Sequence, residues 1–290
     1  MMHMTKYYFF ISIIAAIIMP VTSSFADDDI LIKQEELFGI IGKPGVVIVD
    51  ARGEKSYSKR HLPGAVNLPF DLIVSLRDEA TIKKSGVPLP LEKAEKIFSE
   101  RGISNSSRIV VYDRPPNIAA AYVWMTLKTY GTENVRILAG GIKAWKKEKR
   151  PLTKEVTKVD PAVFKASIRT ELITKPDWII KNRENIQLFD TRSLEEYAGA
   201  RGVGHIPGAV LLEWEKVANA KESFKSAAEI NDVINKAGIS KDKEIIIYCE
   251  VGPKASVVYA AFNMAGYKPK FYWGGMKEWQ DDPNRPIAKK

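Results

Sequence analysis

One cysteine in 290 residues, Cys249, leaves no partner for an intramolecular disulfide and too few thiolates for a multi-cysteine zinc site. Histidine is nearly as scarce, with three in all, of which only His61 and His205 lie beyond the first residues. Neither a metal site nor an organic cofactor is indicated. The 19 glycines and 16 prolines are too few for a collagenous or low-complexity chain, and 45% hydrophobic with 27% charged residues is an ordinary globular balance. At roughly 100–200 residues per domain, the chain has room for two. The formal charge is +9, yet basic residues alternate with acids, as in Lys241-Asp242-Lys243-Glu244, and build no long block. No nucleic-acid partner is therefore expected; the basic surface favours small anions.

Long apolar runs are missing too, except one. Residues 7–18 are apolar, follow Lys6, end at Met19-Pro20 and lead to Ser24-Phe25-Ala26. The run is shorter than the roughly 20 residues of a spanning helix, and its flanks read as a signal peptide of residues 1–26 cleaved after Ala26. The expectation is an exported protein, periplasmic or secreted, with no stable membrane span after cleavage. Cleavage removes one lysine and no acid, taking the formal charge from +9 to +8.

The rest of the chain repeats itself. Val47-Ile48-Val49-Asp50-Ala51-Arg52 matches Gln187-Leu188-Phe189-Asp190-Thr191-Arg192, and His61-Leu62-Pro63-Gly64-Ala65-Val66 matches His205-Ile206-Pro207-Gly208-Ala209-Val210. Ile109-Val110-Val111-Tyr112-Asp113 then answers to Ile245-Ile246-Ile247-Tyr248-Cys249, and Gly140-Gly141 with Trp145 to Gly274-Gly275 with Trp279. Four landmarks in the same order imply a tandem duplication. Each half alternates short β-branched runs with longer stretches read as amphipathic helices, at residues 91–101, 119–130, 227–237 and 255–265, with Gly102, Gly131, Gly238 and Gly266 as stops. This predicts an α/β fold in which each half is a parallel sheet with helices on both faces. The polar segment 151–162 reads as a linker between an N-terminal domain, 27–150, and a C-terminal domain, 163–290.

Cys249 is where chemistry is expected. It follows a fully apolar strand, and Glu250, Val251, Gly252, Pro253 and Lys254 lie between it and a helix. Ligands of parallel sheets bind beyond the carboxyl ends of the strands. A glycine-containing loop entering a helix turns backbone N–H groups inward, and the helix dipole adds positive charge. Both favour a thiolate at neutral pH. A buried structural cysteine is the competing reading, weakened because its counterpart is Asp113, which shares with cysteine the ability to be an anion in such a loop.

The succession of strand-Asp-x-Arg, His-x-Pro-Gly-Ala, strand-Cys-x-x-Gly-x-Lys and Gly-Gly-x-x-x-Trp resembles the rhodanese family, specifically its tandem two-domain sulfurtransferases of the thiosulfate or 3-mercaptopyruvate type. The resemblance implies two tandem rhodanese-like domains, of which only the C-terminal one holds the reactive cysteine. It implies that Cys249 takes a sulfane sulfur from a small anionic donor, becomes a persulfide and passes the sulfur to a thiol or cyanide, in a functional monomer. Residues 250–254 would stabilise that persulfide, and Arg192, Arg201 and Lys254 would bind the donor. A structural salt bridge is the competing reading of Arg192, since Arg52 repeats it. His205 has its twin, His61, in the half without a cysteine, which makes the histidine a feature of the turn.

Glu250 departs from the family pattern, where arginine or glycine often follows the cysteine. At about 6 Å from a dianion and an effective dielectric near 20, its carboxylate would repel by about 2–3 kcal/mol per unit charge. Two other classes compete. A phosphatase or arsenate reductase of this fold needs arginine six positions after the cysteine, where Ala255 stands. An exported, non-catalytic binding or redox-sensing module would need only an accessible, oxidisable thiol. The N-terminal domain, with Asp113 for cysteine, is expected to help shape the cleft.

Overall fold

The computed structural model describes residues 30–219, 223–239 and 242–289; the signal peptide expected at 1–26 lies outside them. The first half forms a parallel sheet from β1 (Leu31–Ile32), β2 (Val46–Asp50), β3 (Ala65–Asn67), β4 (Arg108–Tyr112) and β5 (Val135–Leu138), in the order β1-β5-β4-β2-β3. The second half repeats it with β6 (Ile186–Asp190), β7 (Val210–Leu211), β10 (Glu244–Tyr248) and β11 (Lys270–Phe271), in the order β11-β10-β6-β7, and adds a small hairpin of β8 (Ala218–Asn219) and β9 (Ser223–Phe224). In both sheets the two strongest apolar runs are central and pair in register: Val46 to Asp50 lie beside Arg108 to Tyr112, and Ile186 to Asp190 beside Glu244 to Tyr248. Helices cover both faces, as a sheet buried on two sides requires.

The predicted helices appear at Leu91–Ser99, Ile118–Thr129, Ala227–Lys236 and Pro253–Met264. Gly102, Gly131, Gly238 and Gly266 follow them with φ between 68° and 102°, the left-handed conformation that ends a helix. Two of the four are not amphipathic. Ile118–Thr129 and Pro253–Met264 are apolar nearly all round because each packs its sheet on one side and the other helix on the other. Trp124 meets Tyr259 with ring centroids 6.1 Å apart, and Tyr122 meets Trp273 edge to face at 5.4 Å. One hydrophobic core, holding Val111, Tyr122, Ile247 and Cys249 alike, therefore runs through both halves.

The segment read as a linker is a strap laid on the first half. Thr153 exchanges backbone hydrogen bonds with His61, Thr157 Oγ1 donates to the Ala65 carbonyl at 2.8 Å, and Ala162 N–H donates to Ser99. Phe164 stacks edge to face on Phe98 at 5.1 Å. Further on, Ser167 N–H reaches the Tyr130 carbonyl, and Thr174 N–H the Phe271 carbonyl of the second sheet.

Candidate active site

Cys249 is the residue after β10, and the turn at its back is set by Gly252, whose φ of 114° no side-chain-bearing residue adopts without strain. That turn brings the Gly252 N–H to 3.0 Å from the Cys249 sulfur. The backbone N–H groups of Val251, Lys254 and Ala255 also bear on the sulfur, so the expected ring of amides is present. Pro253 is the one gap in it. It occupies the first helical position, where a missing N–H costs no intrahelical bond. The Gly275 turn backs the loop: Met276 N–H donates to the Cys249 carbonyl at 2.9 Å and Lys277 N–H to the Glu250 carbonyl at 3.3 Å.

The charge state differs from expectation. Cys249 is only 2% exposed and belongs to the apolar core. Burial pushes its thiol up, and the four amides, from Ala255, Gly252, Val251 and Lys254, pull it only part of the way back. The Lys254 ammonium, expected to help bind the donor, donates to Glu196 Oε2 at 2.8 Å. Nest geometry alone does not outweigh desolvation of a sealed sulfur. Asp113 shows the same balance, raised by burial against the amides of Arg114 and Ala119.

Arg192 is nearly buried. Its Nε and Nη2 grip both oxygens of Asp190, Nη2 also donates to the Gly204 carbonyl at 2.6 Å, and Nη1 reaches Glu250 Oε2 at 3.2 Å. Arg52 grips Asp50 in the same way. Most of the Arg192 guanidinium is thus a structural brace, as the competing reading of this residue has it, and Nη1 faces the cleft. Glu250 does not stand unpaired before an incoming anion, since Arg192 holds it at the rim. Arg201 is largely exposed, with Nη2 3.3 Å from both Glu196 Oε2 and Ser193 Oγ. Burial raises the Glu196 carboxyl, but Lys254 and the Ser193 amide bring it down to about 2. Together Arg192, Glu196, Arg201, Gly202, Val203, Glu250 and Gln280 line a concavity of about 250 Å³. His205 stays out of it, stacked on Tyr197 with its Nδ1 2.8 Å from the Tyr197 carbonyl, as His61 is on Tyr57.

The first half supplies two residues that the sequence did not disclose. Arg77, following the Phe70–Ser75 helix, donates to the carbonyls of Val251 at 3.2 Å, Trp273 at 2.9 Å and Gly274 at 3.2 Å, and pairs with Glu79 at 3.1 Å. Tyr122 lies over Gly252, its Cε2 only 2.9 Å from where a Cβ would sit, and its buried hydroxyl makes no well-formed hydrogen bond. Its phenol is pushed up by burial, with the Arg77 guanidinium opposing and Cys249 reinforcing that shift. No local motif marks either residue; only the packing of one half on the other assigns them. Glu196 carried a signal, the Ser193-x-x-Glu196 capping box, which the structure forms in full.

A model of the rhodanese-like domain matches residues 33–148 and 175–282. The chain belongs to the rhodanese family. It is 32% identical over 255 residues to the sulfur carrier protein TtuD of Thermus thermophilus, covering 80% of this chain and 87% of that one. It is 28% identical over 272 residues to the thiosulfate sulfurtransferase of Azotobacter vinelandii, covering 91% and 98%. Among solved structures it resembles the 3-mercaptopyruvate sulfurtransferase SseA of Escherichia coli, with a TM-score of 0.74 and 26% identity over 85% of this rhodanese and 98% of that chain. Both halves of the tandem rhodanese are thus accounted for, and the expected α/β architecture with them.

Proposed function

We propose that this rhodanese, a sulfurtransferase by family, carries a sulfane sulfur on Cys249 from a small anionic donor, thiosulfate or 3-mercaptopyruvate, to a thiol or cyanide. The observation that carries the reading is the amide ring around the sulfur beyond β10. Once deprotonated, the Cys249 thiolate attacks the outer sulfur of thiosulfate. The S–S bond of the donor breaks, sulfite leaves with the electron pair, and Cys249 holds an anionic persulfide. With 3-mercaptopyruvate the C–S bond breaks and the thiol proton passes to carbon, releasing pyruvate. Cyanide then takes the outer sulfur as thiocyanate and returns the thiolate. Amides aimed at the sulfur stabilise both anions, and no general base is needed beyond solvent to take the thiol proton.

Cations that neighbour the cleft, Arg192 Nη1, Arg201 and Lys254, are the groups proposed to meet the donor, each by leaving a carboxylate it now pairs with. A redox-sensing module fits less well, because the proteins this chain resembles are sulfurtransferases and a sulfur carrier. Export with cleavage after Ala26, and action as a monomer, belong to the same proposal. Among the described residues no helix is long and apolar enough to cross a membrane. The test is intact mass after incubation with each donor, expected to show one added sulfur on the parent and none on Cys249→Ser. Equal thiocyanate formation by the two proteins would refute the assignment. N-terminal sequencing of protein recovered from the producing cell checks the cleavage site, and light scattering its mass in solution.

A further inference from the structure

The repeat carries a second pocket. The concavity beside Arg192 has a counterpart in the first half, of about 400 Å³, lined by Arg52, Ser56, Lys59, Arg60, Lys146 and Lys154. The landmarks fix the correspondence: Arg52 stands for Arg192, Ser56 for Glu196, Lys146 for Gln280 and, in the adjoining pocket, Arg114 for Glu250. Every carboxylate lining the cleft of the catalytic half is therefore a hydroxyl or a cation here.

The consequence shows in one guanidinium. In the second half Arg192 Nη1 is taken by Glu250. Arg52 is held just as firmly, its Nε on Asp50, its Nη2 on Asp50 and on the Arg60 carbonyl at 2.9 Å, yet its Nη1 has no protein partner among the described residues. Lys59, Arg60, Lys146 and Lys154 are exposed and form no ion pair among those residues. Asp50 is already paired with Arg52 and accepts a further hydrogen bond from Tyr112. Asp113 lies in the adjoining pocket with Arg52 and Arg114, its Oδ2 turned to the Ala119 N–H.

A guanidinium held on Asp50 with a spare N–H edge, beside four exposed cations in a concavity, suits a doubly charged tetrahedral oxyanion. We infer that the first domain binds such an anion, of the sulfate, thiosulfate or phosphate class, in the pocket between Arg52, Arg60 and Lys146, without transforming it. Asp113 cannot accept a sulfur atom, so the site is one of binding alone.

The full-length chain with Cys249→Ser, which consumes no donor, is to be titrated calorimetrically with sodium thiosulfate, sulfate and phosphate at fixed chloride, and with sodium pyruvate as a monoanionic probe. Binding of the three dianions with pyruvate weaker, and a loss of at least about tenfold in affinity on adding Ser56→Glu, is the expected result. The thiosulfate arm against the sulfate and phosphate arms tells whether the donor or any tetrahedral dianion is held. Lys59→Gln/Lys146→Gln, both exposed, repeats the test without a buried change and should weaken binding by about threefold. On an intact Cys249, Ser56→Glu should leave cyanide-dependent sulfur transfer at the parent rate, which separates this site from the reading of Cys249. No measurable heat, an isotherm untouched by Ser56→Glu and by the lysine pair, or displacement by chloride as effective as by sulfate would each overturn it.

Discussion

The two halves of this rhodanese build the same loop around different atoms. In each, a buried strand ends beside Asp-x-Arg, a glycine turn backs the loop, and a helix begins where the anion-capable side chain sits; Ala119 N–H meets Asp113 as Ala255 N–H meets Cys249. The differences lie in the loop and in what packs on it. Pro115 and Pro116 replace Val251 and Gly252, so the first loop lacks two of the amides that ring the sulfur. The second loop is clamped by Arg77 and covered by Tyr122, both lent by the first half. Duplication thus supplied two scaffolds, and one was turned into the wall of the other.

The largest effect should come from moving the sulfur between them. Cys249→Ser is expected to lower sulfur transfer by at least about 10³-fold. Adding Asp113→Cys to that variant should restore nothing, because the proline-bearing loop offers no comparable amide ring. Intact mass with thiosulfate reads both, and a sulfur-loaded Cys at 113 would show that the halves are chemically equivalent after all. Next in size is the clamp. Arg77→Met leaves three inward-facing carbonyls without their charged donor and should cost about 2–4 kcal/mol of stability, measured by urea unfolding, with a fall in transfer rate of about tenfold. A stable variant with full activity would mean that the first half only neighbours the site.

Much of this was legible beforehand, and the part that was not has a common cause. Periodicity and repeated landmarks disclosed both sheets, the four long helices, Cys249 beyond its strand and the structural histidines, because each depends on residues close in sequence. Arg77 and Tyr122 depend on how one half docks on the other, which no local spacing encodes. The same docking explains two departures. Ile118–Thr129 and Pro253–Met264 lost their expected polar faces to the shared core, and Cys249 was sealed within it, so that desolvation reversed the expected shift of its thiol. For Arg192, Arg52 had already hinted at the brace that the structure shows.

That reversal can be measured. A thiol raised by burial keeps its proton in the folded chain at a pH where the unfolded chain has lost it. Its contribution to stability is therefore complete below the ordinary thiol value, near 8.5, and is lost as pH rises through the higher folded value. Iodoacetamide alkylation of the folded protein should inflect above ~8.5, and alkylation in denaturant near it. Sulfur uptake should rise with pH over the same window. An inflection in the folded chain at or below that of the denatured one would show that the amides prevail over burial.

The smallest expected effect tests the charge that most distinguishes the catalytic cleft from its cationic twin. Glu250 is 43% exposed along its side chain and 3.2 Å from Arg192 Nη1. An ion pair so open to water is worth at most about 1 kcal/mol, and the carboxylate repels an anionic donor only weakly while paired. Glu250→Gln keeps the shape, frees Nη1 and removes one negative charge. The KM for thiosulfate should fall by about two- to fivefold with kcat within about twofold, and the KM for 3-mercaptopyruvate should fall less, since it carries a single charge in its carboxylate. Steady-state kinetics with both donors decides it. Equal gains for the two would place the benefit in the shape of the loop and not in its charge, and a loss for both would mean that Glu250, by holding Arg192, keeps the site in order.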